Sequence, residues 1–93
     1  MVTTVEEARA IERRLIVEDS GLKLVRFPKK EKEKLVILKR IAAEFAAGNE
    51  YSEPEVNAIL RRVYDDYVTI RRYLIEYRFM DREPDGSRYR LHT

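Results

Sequence analysis

The side chains best suited to chemistry are the arginines of the second half: Arg61, Arg62, Arg71, Arg72, Arg82, Arg88 and Arg90. A guanidinium is permanently charged and presents a planar fork of donors, which suits phosphate or carboxylate and is a poor proton shuttle. Anion recognition is therefore the chemistry this set can perform. Catalysis finds little support, because the single histidine, His92, is the penultimate residue and no histidine cluster or histidine–acid pair can be built around it. Glu6–Glu7 and Asp65–Asp66 are sequence neighbours, which diverge on a helix and cannot face one another as an acid–base pair. Gly21, Gly48 and Gly86 are too far apart for a phosphate-binding loop. The absence of cysteine removes disulfides, thiolate nucleophiles and thiolate metal ligands. No enzyme activity, cofactor or metal is expected.

The whole sequence bounds these readings. Ninety-three residues allow one domain with a modest core, too small for the pocket that a small-molecule sensor or enzyme requires. A composition 44% hydrophobic and 39% charged excludes disorder and puts most positions outside the core on solvated helix surface. Nineteen basic against 17 acidic side chains tilt the charge only to +2, short of the dense basic surface of a strong nucleic-acid binder. The start, MVTTVEEARAIERRL, mixes acids and bases from Glu6 onward and has no apolar run, so no membrane contact and a cytoplasmic location are expected.

The elements that would position the arginines follow from periodicity and punctuation. A first helix is expected within residues 1–21, from about Thr4 to Asp19, with Val5, Ala8, Ile11, Glu12, Leu15 and Ile16 on one side and Gly21 past its end. Leu22, Leu24 and Phe27 alternate with Lys23 and Arg26 as a short extended link. A long helix within 28–48 is opened by Pro28 and carries Leu35, Leu38, Ile41, Ala42 and Phe45, with Val36, Ala43 and Ala47 as a second apolar strip. Ser52 and Glu55 form a capping box for a third helix, with Val56, Ile59, Leu60 and Val63 inward. Asp65 or Asp66 caps a fourth, with Tyr67, Ile70, Leu74 and Tyr77 at core spacing, so 52–77 reads as two helices joined by a tight turn. Residues 79–91 read as a hairpin around Pro84-Asp85-Gly86-Ser87. The expected fold is mainly α with a small β-hairpin, in the order of a winged helix-turn-helix.

The segments FPKKEKEKLVIL, YSEPEVNAIL, DDYVTIRRYLIEY and MDREPDGSRY also resemble a bacterial domain family known only as a domain of unknown function, found alone or attached to helix-turn-helix regulators. The resemblance runs from about Leu22 to Tyr89 and implies a winged-helix-like fold, with no activity and no catalytic residues attached to it. One position departs from the pattern: where the family usually has glycine just after the fourth helix, this sequence has Arg78. A left-handed backbone there costs an arginine about 1 kcal/mol relative to glycine, so the helix is expected either to end differently or to run a residue longer, which leaves the angle of the hairpin open.

On this scaffold the wheel of the fourth helix leaves Thr69, Arg72 and Glu76 pointing away from the core, with Arg72 the foremost candidate for a base or phosphate contact. Arg71 falls nearer the packed side, where a structural ion pair with Asp65, Asp66 or Glu55 is expected. Arg82, Arg88 and Arg90 on the 79–91 hairpin are placed to reach the phosphate backbone or a minor groove, and Arg61 and Arg62 on the third helix to touch the backbone, provided they share one face. Two functions stay open. The first is a DNA-binding winged helix in bacterial transcriptional regulation, the 66–77 helix in the major groove of double-stranded DNA and the chain dimerising through its first helix. The second is a protein-interaction or homodimerisation module docking through Tyr73 or the Val36, Ala43, Ala47 strip, favoured by the acids Asp65 and Asp66 at the helix start, which repel phosphate.

Overall fold

The computed structural model describes residues 3–92; Met1, Val2 and Thr93 lie outside them. The chain is mainly helical with a small C-terminal hairpin: α1 (Val5–Leu15), β1 (Ile16–Glu18), β2 (Leu22–Leu24), α2 (Glu31–Ala42), α3 (Glu53–Val63), α4 (Tyr67–Glu76), β3 (Met80–Arg82) and β4 (Tyr89–Leu91). Ile37, Leu38 and Ile41 of α2, Val56 and Leu60 of α3, and Ile70 and Leu74 of α4 are fully buried in one core, together with Leu15 and Met80. No helix among the described residues is long and apolar enough to cross a membrane.

α1 starts at Thr4, whose hydroxyl accepts from the Glu7 amide at 3.1 Å while the Glu7 carboxylate accepts from the Thr4 amide at 3.3 Å. It does not reach Asp19. Ile16 and Val17 are β-branched, stiff at χ1 and readily extended, and here they pair antiparallel with Leu22–Leu24 around a turn at Ser20 and Gly21. Gly21 therefore serves a hairpin tip rather than a helix end. The expected extended link is one strand of this hairpin, with Leu22 and Leu24 buried and Lys23 exposed. At the other end of α1, Val5 is 66% exposed, so the apolar stripe reaches the core only at Ile11 and Leu15. Ion pairs of Arg14 with Glu33, Lys32 with Glu7 and Arg40 with Glu12 join α1 to α2.

α2 is shorter than periodicity suggests. Pro28 is buried two residues before the N-cap Lys30, and the helix closes at Ala42. The amides of Glu44 and Phe45 then bond the carbonyls of Ile41 and Ala42 in tight turns. Two contacts hold this end: Phe45 meets the Tyr51 ring edge-on with centroids 5.2 Å apart, and the Tyr51 hydroxyl accepts from the Ala46 amide at 2.8 Å. Ala47 accordingly lies off the helix, and the expected Val36, Ala43, Ala47 strip does not exist as a continuous face. Ile37 takes the core position and Leu35 is only half-buried.

Ser52 caps α3 as expected, accepting from the Glu55 amide at 3.3 Å while Glu55 accepts from the Ser52 amide at 2.8 Å. The Ser52 hydrogen bonds hold the Glu55 carboxyl below the usual glutamate value of 4.5, and Glu7 is lowered by the Lys32 hydrogen bond and then by Thr4. A carboxyl depressed on folding adds stability above its unfolded value that is lost as pH falls through the folded value. The melting temperature is therefore expected to decline as pH drops below about 4.5, the Glu55 share vanishing in Ser52→Ala. At neutral pH that substitution costs about 1 kcal/mol by denaturant titration.

α4 is capped by Asp66, whose carboxylate accepts from the Thr69 amide at 3.3 Å. Its C-terminal end overturns the expectation of an altered helix stop. Arg78 takes a left-handed conformation with φ 65°, the Phe79 amide reaches back to the Leu74 carbonyl at 2.9 Å and the Arg78 amide to that of Ile75 at 3.1 Å. This double closure requires a left-handed residue, and the arginine carries the strain. Arg78→Gly is expected to stabilise the fold by about 1 kcal/mol, a rise of about 4 °C in Tm by calorimetry; no gain would mean that the strain is relieved elsewhere.

The C-terminal hairpin pairs Met80 with Leu91, Asp81 with Arg90 and Arg82 with Tyr89. Tyr51, just before α3, adds an antiparallel bridge to Tyr89 through two backbone hydrogen bonds of 2.7 Å. The hairpin is thereby fixed to the start of α3 as well as to the end of α4.

Candidate nucleic-acid interface

The register of the hairpin sorts its arginines. Paired residues share a face, so Arg82 lies on the side of buried Tyr89, whereas Arg90 lies on the opposite side with Asp81, and Arg88 shares the face of Arg90 by strand alternation. Arg88 Nη1 is 3.6 Å from the Glu50 carboxylate, and Arg90 Nη1 is 3.5 Å from Glu50 and 3.4 Å from Glu83. The outer face is electrostatically closed on itself. His92 joins it, its Nδ1 2.8 Å from Asp81.

Arg82 faces inward, toward α4. A groove of about 310 Å³ between α4 and the hairpin is lined by Arg71, Arg72, Ile75 and Glu76 of α4, by Arg82 and Tyr89, and by Glu53 at the start of α3. A Cβ added at Gly86 would sit 3.4 Å from Arg82 Nη1 and 3.9 Å from Glu53 Oε1, so the hairpin turn roofs this end. Gly86 has φ 75°, a left-handed backbone for which the turn favours glycine, whereas the space beside it would admit a Cβ at ordinary contact distance.

Within the groove the charges play different parts. Arg71, with a side chain 18% exposed, is held by Glu53 at 3.9 Å and donates to Asn57 Oδ1. The expected partners Asp65, Asp66 and Glu55 are engaged elsewhere or exposed: Asp66 and Glu55 cap helices, and Asp65 stands in solvent. Glu53 is the partner because the α3–α4 packing brings its first turn beside Arg71, a pairing across two helices that spacing within one helix does not reveal. Tyr89 donates its hydroxyl to Glu53 at 2.6 Å, and burial followed by this hydrogen bond pushes its pKa up, so it stays a donor. Arg72 and Arg82 are exposed and carry no ion pair among the described residues. Glu76 is exposed beside them.

The remaining candidates are dispersed. Thr69 is half-buried and its hydroxyl is bound to Asp66 at 2.7 Å, so the side chain serves the cap. Arg61 lies over the Tyr67 ring, its guanidinium carbon 4.9 Å from the centroid. Arg62 is exposed at the end of α3, where its carbonyl accepts from Lys23 Nζ at 3.4 Å. Arg61, Arg62, Arg72, Arg82, Arg88 and Arg90 therefore do not merge into one band; Arg72 and Arg82 with Arg71 form one cluster, and the outer hairpin pair is neutralised. Tyr73 is not free either: it stacks on Phe27 with centroids 5.1 Å apart and on Tyr77 at 5.7 Å, with Lys34 over its ring. Among the described residues no group of three or more His, Asp or Glu side chains could hold a metal ion.

Glu53, Asn57 and Tyr89 were not legible as site residues. The inward position of Arg82 depends on which residues pair across the hairpin, and an Asp-Gly turn signal leaves that register open. No curated protein and no solved structure matches the chain. Residues 23–91, which span α2, α3, α4 and the hairpin and include every residue of the groove, match a bacterial family, and the chain thus belongs to the family described as "Uncharacterized protein conserved in bacteria (DUF2087)".

Proposed function

We propose that this domain is a winged helix-turn-helix that binds double-stranded DNA in bacterial transcriptional regulation, with α4 in the major groove and the inner face of the β3–β4 hairpin against the backbone. The observation that carries the reading is the groove between α4 and the hairpin, where Arg72 and Arg82 form no ion pair among the described residues beside a fixed Arg71. The element order supports it: a bridging residue at Tyr51, two helices joined by a short turn, then a hairpin that pairs back to Tyr51. Arg72 and Glu76 are the side chains of α4 available to base edges, Arg82 is available to phosphate, and Arg71 orients the cluster through Glu53.

Fluorescence anisotropy of a labelled random duplex, titrated from low to physiological salt, tests the reading. Binding that weakens steeply with salt is expected, because neutralised phosphates release counterions. No binding at the lowest salt would overturn it, since backbone attraction precedes sequence recognition.

A second reading has its own support. Asp65 and Asp66 are exposed at the α4 start, which disfavours phosphate there. A hollow of about 480 Å³ between α1 and α2 has an apolar wall of Ala8, Leu35, Val36, Ala43 and Phe79 suited to a protein partner or a second copy. Sedimentation distinguishes them: a concentration-dependent dimer with no duplex affinity would favour this module, and a monomer that binds duplex the first.

A further inference from the structure

Phe27 and Tyr64 mark a second basic hollow, far in sequence from the hairpin. About 470 Å³ in volume, it is lined by Arg14, Arg26, Phe27, Lys29, Lys30, Glu33 and Tyr64. Its one carboxylate, Glu33, is bound by Arg14. Arg26, Lys29 and Lys30 are exposed and have no ion pair among the described residues. Lys23 Nζ reaches the Arg62 carbonyl at 3.4 Å, bringing two further cations to the end of α3 immediately before Tyr64. The contrast with the outer hairpin face is direct: there each arginine has a carboxylate within 4 Å, and here the cations outnumber the acids.

The hollow is held in a fixed relation to α4. Pro28 is buried and Phe27 lies parallel to Tyr73, at 6° between planes, so the segment is anchored on the helix rather than draped over it. At about 100° per residue, Tyr73 leaves α4 on the flank opposite Arg71 and Ile75, which face the hairpin groove. The outer edge of α4, with Arg72 and Glu76, lies between the two basic sites. Tyr64 belongs to the turn that leads into α4 and lines the hollow from that side.

We infer that Arg26, Lys29 and Lys30 form a second phosphate-binding site that engages a duplex backbone on the side of α4 away from the hairpin. This rests on the DNA-binding reading above and adds to it: a helix lying in a major groove has a phosphate strand along each flank, and the hairpin arginines supply charge on only one. The sugar-phosphate backbone is the partner chemistry because three uncompensated cations surround the hollow and its half-buried aromatic rings are tied into the fold, leaving charge as its recognition element.

The test is the salt dependence of duplex binding by the full chain and by the triple variant Arg26→Ala, Lys29→Ala, Lys30→Ala, with circular dichroism to establish that both are folded. All three residues are exposed, so the variant is expected to fold. The slope of log K against log salt is expected to fall by about two to three units, and affinity near 0.1 M salt by about 10- to 100-fold. The charge-preserving variant Arg26→Lys, Lys29→Arg, Lys30→Arg is expected to retain the parent slope. Parent binding with an unchanged slope in the alanine variant would overturn this second site while leaving the groove reading intact. If the parent chain does not bind duplex at low salt, or if a polyglutamate peptide binds the hollow and duplex does not, both fall together.

Discussion

Leu74→Ala is expected to cost about 3–4 kcal/mol, the largest effect of any single substitution considered for this fold. Leu74 has no exposed surface and sits on α4 among Ile70, Leu60, Ile37 and the other core side chains. Removing its isobutyl group forfeits transfer energy and leaves a cavity that helices held by caps and ion pairs can only partly fill. A domain of this size has on the order of 5–14 kcal/mol in total, so the variant would melt about 15–25 °C lower or populate the unfolded state at room temperature. Leu35→Ala is the companion measurement. Leu35 is half-buried at the margin of the α1–α2 hollow, and its loss is expected to cost about 1 kcal/mol. Chemical denaturation of the two variants separates them, and equal costs would mean that the core is not centred on α4.

The second large effect concerns binding. Arg72→Ala with Arg82→Ala is expected to lower duplex affinity near 0.1 M salt by about 10- to 100-fold and to reduce the salt slope by about two units. Both side chains are exposed and form no ion pair among the described residues, so folding stability should change by less than about 0.5 kcal/mol. Arg88→Ala with Arg90→Ala removes the same formal charge from the outer hairpin face, where Glu50 and Glu83 already neutralise it. Its effect on affinity is expected to stay within about threefold, as for other screened surface ion pairs. If the outer pair mattered more than the inner pair, the contact surface would lie on the other side of the hairpin.

The α3–turn–α4–hairpin half was legible because its signals are local. Ser52 and Glu55 satisfy each other's amides three residues apart, Asp66 does the same for Thr69, and Asp85–Gly86 marks the turn. The first half was less legible because tertiary contacts decide its boundaries. Ile16 prolongs a helical stripe in sequence but leaves the helix because Leu22–Leu24 offer a strand to pair with. Ala43, Ala46 and Ala47 are good helix formers, yet Phe45 and Tyr51 draw the chain into a turn. The wheel of α4 placed Arg72 outward, where the structure has it, but it could not show Phe27 covering Tyr73 or Glu53 meeting Arg71. Each of these lies across elements, beyond what the period of a single helix encodes. The basic hollow was missed for the same reason: Arg26, Lys29 and Lys30 flank a proline in what reads as linker, and only the Phe27–Tyr73 stack ties them to α4.

The bridge between Tyr51 and Tyr89 gives the groove a particular place in the order of assembly. α3, α4 and β3 all lie between these two residues along the chain, so the bridge closes a long loop whose entropy must be spent before its hydrogen bonds form. The helix pair can nucleate from neighbouring contacts, but Glu53 and Tyr89, which line the pocket beside Arg71, Arg72 and Arg82, come from the two ends that this closure joins. A chain whose ends had not met would lack the Glu53 contact that holds Arg71 and the Tyr89 wall beside Arg82, so full competence for an anionic partner is expected to follow this closure.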